Sequence, residues 1–371
     1  MMRILYSGVC LLMACISMAQ ENIRINQLGF LPEAKKAVVI VNSNLTSFEV
    51  VKSNGAVVFT GTLSGSNYWN NSKENVRIAD FSEFKSRGTY QIKLSDGSTS
   101  HPFQIEDDVF NPVSKGAIKA YYFNRASTAL EEEYAGEYKR ALGHPDDQVI
   151  VLPSAASEGR PAGTRISTPY GWYDAGDYNK YIVNSGISVF TLLLAYEQFP
   201  NYYDELKLTI PESGNNIPDI LDEALWNIKW MATMQDPGDG GVYNKTTHAN
   251  FQGAVMPHQA TATRYVVAKG TAATLDFAAV MAMAARIYKP YLPEEAAVWL
   301  AQAELAWQWA QSNNNVAYNN PSSENGYPGV STGGYGDGNF SDEFFWAAAE
   351  LAISTENEDY LNELNFSLNF G

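Results

Sequence analysis

The feature of this chain that most constrains its fold is a change of periodicity near Glu106-Asp107-Asp108. Before it, apolar residues come in short runs separated by turn residues, and after it they repeat at helical spacing. Asn54-Gly55 and Asp96-Gly97 favour tight β-hairpin turns, because both pairs tolerate positive φ. The strand-like runs are residues 37–41, 48–51, 56–59 and 88–94. We predict a multidomain chain, with an all-β, immunoglobulin-like sandwich at residues 22–105 and an all-α domain at residues 110–371.

The second part of the chain predicts about six helices. They are residues 113–133, 183–196, a segment that begins at Ile217-Pro218-Asp219, and residues 274–288, 293–309 and 342–354. Residues 272–285 are apolar and alanine-rich on nearly every face, so such a helix must be covered on most sides. This pattern favours a layered helical barrel over a thin bundle. Long loops at residues 236–257 and 313–339 are candidates for function.

The amino-terminal 19 residues have the pattern of a cleaved export signal. Arg3 precedes an apolar run, and small residues stand three and one before a cleavage site after Ala19. The run is shorter than the ~20 residues that a bilayer span needs, so we expect no membrane span. Both cysteines lie here, which would leave a mature protein without disulfides. We predict secretion to the periplasm, cell surface or medium; the alternative is a lipoprotein anchored through Cys15.

The charge of the chain excludes more partners than it selects. Its formal net charge is −16, and its 25 basic residues are scattered among 41 acidic ones without a basic cluster. Nucleic acids and anionic membranes are therefore not expected partners. An acidic chain with 13% aromatic residues suits a neutral polymer such as a β-glucan polysaccharide or oligosaccharide. We expect a monomer that requires no cofactor.

Two aspartates three residues apart, Asp174 and Asp177, stand among small residues and large aromatics in segment 170–178. Small residues let another molecule approach the backbone and aromatic faces stack on sugar rings, so the segment is typical of a glycosidase site. Inverting glycosidases separate base and acid by about 6.5–9.5 Å. Residues three apart at a helix start lie only ~5–6 Å apart, so these aspartates suit joint binding of one water better. The structural alternative makes Asp177 a helix N-cap.

The segment Trp172-Tyr173-Asp174-Ala175-Gly176-Asp177 resembles the signature of the family 9 glycoside hydrolases. These are inverting cellulases and related β-glucan-cleaving enzymes built on an (α/α)6 barrel. The resemblance extends from about residue 22 to the last residue in several blocks. Residues 23–30 resemble the start of the immunoglobulin-like domain of one branch, and residues 210–215, 217–224 and 342–348 resemble blocks of the barrel.

The resemblance implies that Asp177 is the general base and that Asp174 helps it to orient the attacking water. A base must be ionised, and close carboxylates make each other harder to ionise. We therefore expect a hydrogen-bond donor to hold Asp177 charged, with Tyr173 or Tyr178 as candidates.

The resemblance also implies contacts with sugar. Trp172 and Tyr173 belong to the signature, and Tyr335 is placed like a sugar-stacking residue of the family. Asn244 stands where many relatives place a sugar-contacting histidine, and its amide can still hydrogen-bond hydroxyl groups. Tyr170 replaces a usual glycine before the signature.

A structural calcium ion is the one metal that the resemblance implies. Asp342 resembles a calcium ligand of the family, together with carbonyl groups of the preceding turn such as Gly338 and Ser341. The alternative makes Asp342 the N-cap of the helix that contains Phe344.

We predict no zinc site. Ala126 and Gly143 stand where relatives often carry zinc-binding cysteines, which leaves His144 alone among those ligands. We expect His144 to be a loop or capping residue. His248 and His258 could reach substrate, although a solvated loop position accounts for each of them.

The general acid of the family is a Glu that follows a His-x-Arg segment near the far end of the barrel. No histidine follows His258 in this chain, and about half of the barrel's helices are predicted. We therefore expect a carboxy-terminally incomplete member of the family, or a premature end in the gene. The expected protein is an inverting endo-β-1,4-glucanase that lacks its acid and hydrolyses little. The alternatives are a non-catalytic glycan-binding protein and an exo-acting cellodextrinase or glucosaminidase.

Overall fold

A computed structural model of the chain describes residues 22–336 and 338–362. It divides into two compact units with a boundary between Ser114 and Lys115. The predicted export signal at residues 1–19, with Cys10 and Cys15, lies outside the described residues. Within the described ranges, no helix is both long enough and apolar enough to cross a bilayer.

The described part of the N-terminal unit is a β-sandwich. Its strands are β1 (Ile23–Arg24), β2 (Ala37–Val41), β3 (Ser47–Lys52), β4 (Val57–Thr62), β5 (Asn67–Trp69), β6 (Glu74–Asp80), β7 (Gly88–Leu94) and β8 (Phe103–Ile105). They form two antiparallel sheets, in the orders β1-β2-β6-β5 and β4-β3-β7-β8. Val38 and Ile40 from the first sheet and Val50 and Ile92 from the second are buried in one core. The predicted immunoglobulin-like sandwich is confirmed.

The hairpin between β3 and β4 shows how the sequence specifies this unit. Gly55 adopts a φ of 82°, which a side chain would make costly. The Asn54 side chain accepts a hydrogen bond of 3.1 Å from the Ala56 amide. The Asn-Gly pair therefore closes the predicted hairpin, although only Gly55, and not Asn54, adopts positive φ.

The C-terminal unit is built mainly from helices. In its described part these are α1 (Asn111–Phe123), which begins just before the boundary, α2 (Glu132–Ala135), α3 (Ile182–Gln198), α4 (Pro200–Glu205), α5 (Asp219–Thr233), α6 (Thr271–Tyr288), α7 (Pro293–Ser312), α8 (Ser341–Thr355) and α9 (Asp359–Asn362). The predicted helix over residues 113–133 is too long. It ends at Phe123, because the chain then turns and the Ala126 amide bonds to the Gly171 carbonyl 2.8 Å away.

Helix α6 lies at the centre of the helical core. It packs against α3, α7 and α8, and every one of its residues except Arg286 is buried. Its alanines allow this close packing on all sides. The prediction of a covered, layered helix is confirmed here, whereas the prediction that about half of an (α/α)6 barrel is present stays a prediction.

The C-terminal unit is not all-α as predicted, because it also contains a five-stranded sheet. The strands are β9 (Val149–Val151), β10 (Arg165–Ile166), β11 (Lys180–Tyr181), β12 (Lys245–His248) and β13 (Arg264–Val266). Their order is β10-β9-β13-β12-β11, with β13 parallel to β9. Strands of two to four residues carry too little alternation to be recognised in a sequence. Edge strand β11 runs directly into α3, so the aspartate segment is held between this sheet and the helical core.

Candidate active site

The aspartate segment enters the site through a strained turn. Tyr170 and Gly171 both have positive φ, 65° and 84°, and Trp172 forms an isolated β-bridge with Arg125. A Cβ on Gly171 would lie 2.8 Å from Lys180 and 2.9 Å from Trp230, so only glycine fits. The turn thus packs the segment tightly against the core before it reaches the carboxylates.

Asp177 is buried and is held by two donors on one oxygen. Its Oδ2 accepts a hydrogen bond of 2.8 Å from the Tyr181 hydroxyl and a short one from the Asn179 side chain. The Oδ1 of Asn179 accepts 2.8 Å from the His248 amide, which fixes which end of the amide faces Asp177. Burial, and next the hydrogen bond to Asp177, raise the pKa of Tyr181, so its hydroxyl remains a donor.

The donors expected for Asp177 are therefore wrong. The Tyr173 hydroxyl bonds instead to Nδ1 of His144, 2.8 Å away, and the Tyr178 hydroxyl donates to the Val255 carbonyl. The sequence did carry a signal for the actual donors. Residues 177, 179 and 181 alternate along an extended segment, and alternate residues of a strand share one face.

Asp174 is half-buried and is held by a different pair of donors. Its Oδ1 accepts 2.6 Å from the Asn184 side chain, on the first turn of α3. Its Oδ2 accepts 2.8 Å from the Tyr335 hydroxyl, which comes from the loop between α7 and α8. The two aspartates thus have separate hydrogen-bond partners, so each carboxylate is oriented independently by its own donors.

Tyr335 was predicted as a sugar-stacking residue, and the structure places it at the site. It is 46% exposed, has a positive φ of 48°, and bonds to Asp174. The hydrogen bond with Asp174 is the main cause of its raised pKa. Because the ring is exposed, a sugar can reach it. The predicted sugar contact itself stays a prediction.

Trp172 and Tyr173 are buried more deeply than the prediction of sugar contacts implied, each being 5% exposed. The Trp172 indole donates 2.8 Å to the buried Glu223 carboxylate. Both residues nevertheless line a small pocket of about 90 Å³ beside Asp174, together with Tyr121, Asn124, Tyr181, Asn184, Ser185 and Ser188. The expected sugar contacts of the two aromatics stay predictions.

Asn244 is placed behind the site. It is 2% exposed, and its side chain donates 3.2 Å to the Gly334 carbonyl, in the turn that precedes Tyr335. The structure thus gives Asn244 a supporting contact with the loop. The predicted contact with sugar gains no support from its burial.

The histidine predictions need correction. His248 is not solvated but 1% exposed in β12, and among the described residues neither ring nitrogen has a hydrogen-bond partner. Burial lowers its pKa to about 3. His144 is also buried; its Nε2 lies 2.9 Å from the Ala260 carbonyl, so Nδ1 accepts from Tyr173. Burial lowers the pKa of His144 to about 4, and both rings are neutral. His258 is exposed, as expected.

A metal site does not emerge from the residues described. Within them, no group of three or more His, Cys, Asp and Glu side chains could hold a metal ion. Asp342 is exposed on the first turn of α8, whose N-cap position is Phe340, so the alternative N-cap role of Asp342 is wrong. Asn339 instead accepts hydrogen bonds from Ser341. Calcium binding by Asp342 stays an expectation.

Sequence reasoning missed a buried ion network beneath the site. Asp146 lies 2.7 Å from Nζ of Lys180 and 3.0 Å from Nε of Arg264, and the Asp146 side chain is fully buried. Arg264 also donates to the Tyr178 carbonyl. This network fixes the backbone on the C-terminal side of Asp177. A larger pocket of about 380 Å³ adjoins it, and neither Asp174 nor Asp177 lines that pocket.

The fold and the site together define a class of protein. An immunoglobulin-like sandwich precedes a layered helical unit in which two aspartates, three residues apart, are each held by two donors, one of them at an aromatic pocket, the architecture of a modular glycoside hydrolase. The sequence model of glycosyl hydrolase family 9 matches residues 110–369, and that of the cellulase N-terminal ig-like domain matches residues 18–99. The chain belongs to glycosyl hydrolase family 9.

Similar proteins are consistent with this assignment. A xyloglucan-specific endo-beta-1,4-glucanase of Bacteroides ovatus is 43% identical over 92% of this chain and 59% of the relative. Endoglucanase D of Acetivibrio thermocellus is 37% identical over 92% of this chain and 53% of the relative. A solved family 9 structure from Bacteroides ovatus superposes with a TM-score of 0.87 at 43% identity, covering 92% of this chain and 63% of that one. The chain thus spans between half and two thirds of the length of these relatives.

Proposed function

We propose that this chain carries the base side of an inverting glycoside hydrolase that cleaves β-1,4-glucosidic bonds in cellulose or related β-glucans. The observation that carries the proposal is the pair of separately held carboxylates at Asp174 and Asp177. Both hydrogen bonds to Asp177 described above use Oδ2, so Oδ1 is the atom that we assign to proton abstraction.

In the proposed reaction one water lies between the two aspartates. Asp177 removes a proton from the water as its oxygen attacks the anomeric carbon, and Asp174 orients it. The glycosidic bond breaks on the opposite face, and the leaving oxygen takes a proton from a general acid. Asp174 is only three residues from Asp177, closer than the acid and base of an inverting pair, so we propose that it is not that acid. The family resemblance assigns the acid to a Glu after a His-x-Arg segment, and no histidine follows His258, so we propose that residues 22–362 do not supply it.

An activated substrate tests this division of labour. An aryl β-cellobioside with a dinitrophenolate leaving group needs no protonation of its leaving oxygen, so the base side alone should hydrolyse it. We expect this chain to release dinitrophenol and to leave carboxymethylcellulose nearly intact. Asp177→Asn should lower the first rate by about 10²-fold or more. Asp147→Asn is the matched control, because Asp147 is exposed and contacts neither aspartate of the pair.

The outcomes separate the competing functions. An initial product of α-configuration, seen by NMR, supports inversion. Efficient hydrolysis of carboxymethylcellulose would place a general acid within this chain. Binding to glucan in affinity electrophoresis without release of dinitrophenol would favour a non-catalytic glycan-binding protein.

Xyloglucan is the polysaccharide to compare with cellulose, because the Bacteroides ovatus relative is named as xyloglucan-specific. The products from both polysaccharides should be measured on this chain, at protein concentrations high enough to detect slow turnover. We expect internal cleavage, with oligosaccharides of mixed length from the first minutes. Release of a single short product would favour the exo-acting cellodextrinase or glucosaminidase.

We further propose that the protein is exported and acts as a monomer on extracellular glucan. Amino-terminal sequencing of the mature protein tests this proposal. Cleavage after Ala19 is expected, whereas a lipidated amino terminus at Cys15 would indicate the lipoprotein alternative. Sedimentation measures the oligomeric state.

A further inference from the structure

A buried lysine, Lys245, lies behind the aspartate pair and has no part in the reaction proposed above. It is fully buried at the start of β12 and pairs with Tyr181 in the register of β11 and β12. Residues opposite each other in antiparallel strands point to the same side of the sheet. The Lys245 Nζ accordingly lies 5.4 Å from the centroid of the Tyr181 ring and 5.4 Å from that of Tyr318.

The amino group of Lys245 donates three hydrogen bonds to uncharged groups. Its Nζ lies 2.8 Å from Oδ1 of Asn320, 2.9 Å from Oγ1 of Thr332 and 2.6 Å from the Gly333 carbonyl. An ammonium group has three N–H donors, whereas a neutral amine has two donors and a lone pair. All three bonds can be donated at once only while Lys245 is protonated.

The turn that Lys245 holds connects to both aspartates. The Gly333 amide donates 3.2 Å to the Tyr181 hydroxyl, whose own proton is directed at Asp177. Two residues further on, Tyr335 donates to Asp174. Lys245 thus holds the turn that contacts Tyr181 through Gly333 and that leads to Tyr335. These are the two tyrosines that donate to the aspartates.

The charge of Lys245 is set by its surroundings. The titratable groups that face it are the Asp177 carboxylate and the phenols of Tyr181 and Tyr318. Burial lowers its pKa from 10.5 to about 7, although Asp177 acts in the opposite direction. The third hydrogen bond and the positive charge near Asp177 are therefore lost together as the pH rises through neutrality.

We propose that Lys245, as an ammonium ion, is a positioning residue for the base side of the site, and that loss of its proton lowers activity at alkaline pH. This inference rests on the proposed function, because Lys245 acts on the reaction through Tyr181 and Tyr335.

The test measures kcat and KM on the dinitrophenyl β-cellobioside from pH 5 to pH 9. Lys245→Met should lower kcat about tenfold at pH 6, leave KM within about twofold, and flatten the alkaline limb of the profile. Lys245→Arg keeps a fixed charge, so its alkaline limb should move up by about one pH unit or more. An alkaline limb that is the same in Lys245→Arg and in the wild type would overturn the proposal.

Lys36→Met is the matched control. Lys36 belongs to the N-terminal unit, is fully buried, and donates to the Pro32 and Ala34 carbonyls. The Lys36→Met variant should be less stable than the wild type, but the shape of its pH profile of kcat should not change. Equal changes in the Lys36→Met and Lys245→Met profiles would mean that Lys245 is merely structural.

A second readout separates failure of this inference from failure of the proposed function. If the wild type is no more active than Asp177→Asn, the proposed function fails, and NMR then tests Lys245 alone. With 13C-labelled lysine, the Lys245 signal, identified by its loss in Lys245→Arg, should titrate near neutral pH. The Gly333 amide should shift with the same midpoint. A lysine midpoint near the ordinary value of about 10, or a Gly333 amide that does not move, would overturn the inference.

Discussion

The rings of Tyr181 and Tyr335 pack edge to face with their centroids 4.7 Å apart, while their hydroxyl groups serve different aspartates. Tyr181 donates to Asp177 and Tyr335 donates to Asp174. A shift of either ring therefore alters the partner of the other carboxylate. The two aspartates are thus linked through these aromatic rings.

Replacing Tyr335 by Phe should lower the rate while leaving the stability of the protein almost unchanged. The change removes the donor to Asp174 but keeps the ring, so kcat on the activated cellobioside should fall about tenfold, as for loss of one hydrogen bond to a charged group. The free energy of unfolding should change by less than about 0.5 kcal/mol, because the side chain is 46% exposed. Tyr138→Phe is the control, since Tyr138 is also exposed, and its rate should not change. A rate for Tyr335→Phe equal to that of the wild type would show that the Tyr335 hydroxyl has no role in the reaction.

Replacement by alanine should destabilise the protein at Gly171 but not at Gly176, although both glycines belong to the aspartate segment. Gly171 has a φ of 84° and no room for a Cβ, whereas a Cβ on Gly176 would meet nothing within 4 Å. Gly171→Ala should destabilise the protein by about 2 kcal/mol, measured by thermal unfolding. Gly176→Ala should fold normally and raise KM, because a small residue there lets the sugar approach the backbone. Equal stability of the two variants would contradict the geometry of this turn.

Asp146 should govern stability in acid. Burial alone would raise its pKa, but Arg264 and Lys180 outweigh this effect and lower it from 3.8 to about 2. Since the folded pKa lies below the unfolded one, the stabilisation is present above pH 4 and is lost as the pH falls towards 2. The loss is on the order of 2 kcal/mol.

Asp146→Asn isolates this effect. It should unfold more easily at pH 7, because Lys180 and Arg264 then lack their carboxylate, and its deficit relative to wild type should shrink between pH 4 and pH 2. Circular dichroism during thermal unfolding measures both quantities. The exposed neighbour gives the control Asp147→Asn, and a deficit for Asp146→Asn that stays constant with pH would refute the assignment.

Asp222 should make the protein less stable as the pH rises, whereas Asp146 makes it less stable as the pH falls. It is 4% exposed, and Asn215 donates 3.0 Å to its Oδ1, while Oδ2 has no hydrogen-bond partner among the described residues. Burial, aided by the charges of Glu212 and Asp219, raises its pKa to about 7. A raised folded pKa favours the folded state at low pH, and this contribution is lost as the pH rises through 7.

Asp222→Asn should therefore stabilise the protein at pH 8, on the order of 4 kcal/mol for a pKa raised from 3.8 to about 7, and change it little at pH 4. The asparagine oxygen keeps the bond from Asn215. Unfolding by urea at the two pH values measures the difference. Equal effects at both pH values would show that Asp222 is not protonated in the folded protein.

Local chemistry allowed much of the fold to be predicted. Asn54-Gly55 specifies its hairpin within four residues, and Pro218 stands at the N-cap of α5 because proline disfavours a preceding helical turn. The sheet of β9 to β13 was missed for a physical reason. Its strands are very short, and β13 pairs with β9 from more than a hundred residues away, so no local pattern reveals it.

The residues of the site also divide into those that the local sequence predicts and those that it does not. The aspartate pair could be found from its segment, and Asn179 and Tyr181 follow from the alternation of residues 177, 179 and 181 as the chain runs into β11. Tyr335 could be placed only by resemblance, and its bond to Asp174 could not. The buried position of His248 and the role of Lys245 depend on the sheet and on the loop before α8, so they could not be read from neighbouring residues.

Asp177 and Asp174 differ in how far along the chain their partners lie. Asp177 takes both donors from the next four residues, whereas Tyr335 reaches Asp174 across 161 positions. Exchange of the loop before α8 for one of another length would therefore remove a donor from Asp174 outright, whereas Asp177 would keep both donors and lose only the contacts that Gly333 and Tyr335 make with Tyr181. The donors of Asp177 are encoded within four residues of it, and the orientation of Asp174 can be retuned by a remote loop, which gives a route to altered placement of the attacking water with a smaller change at the proposed base.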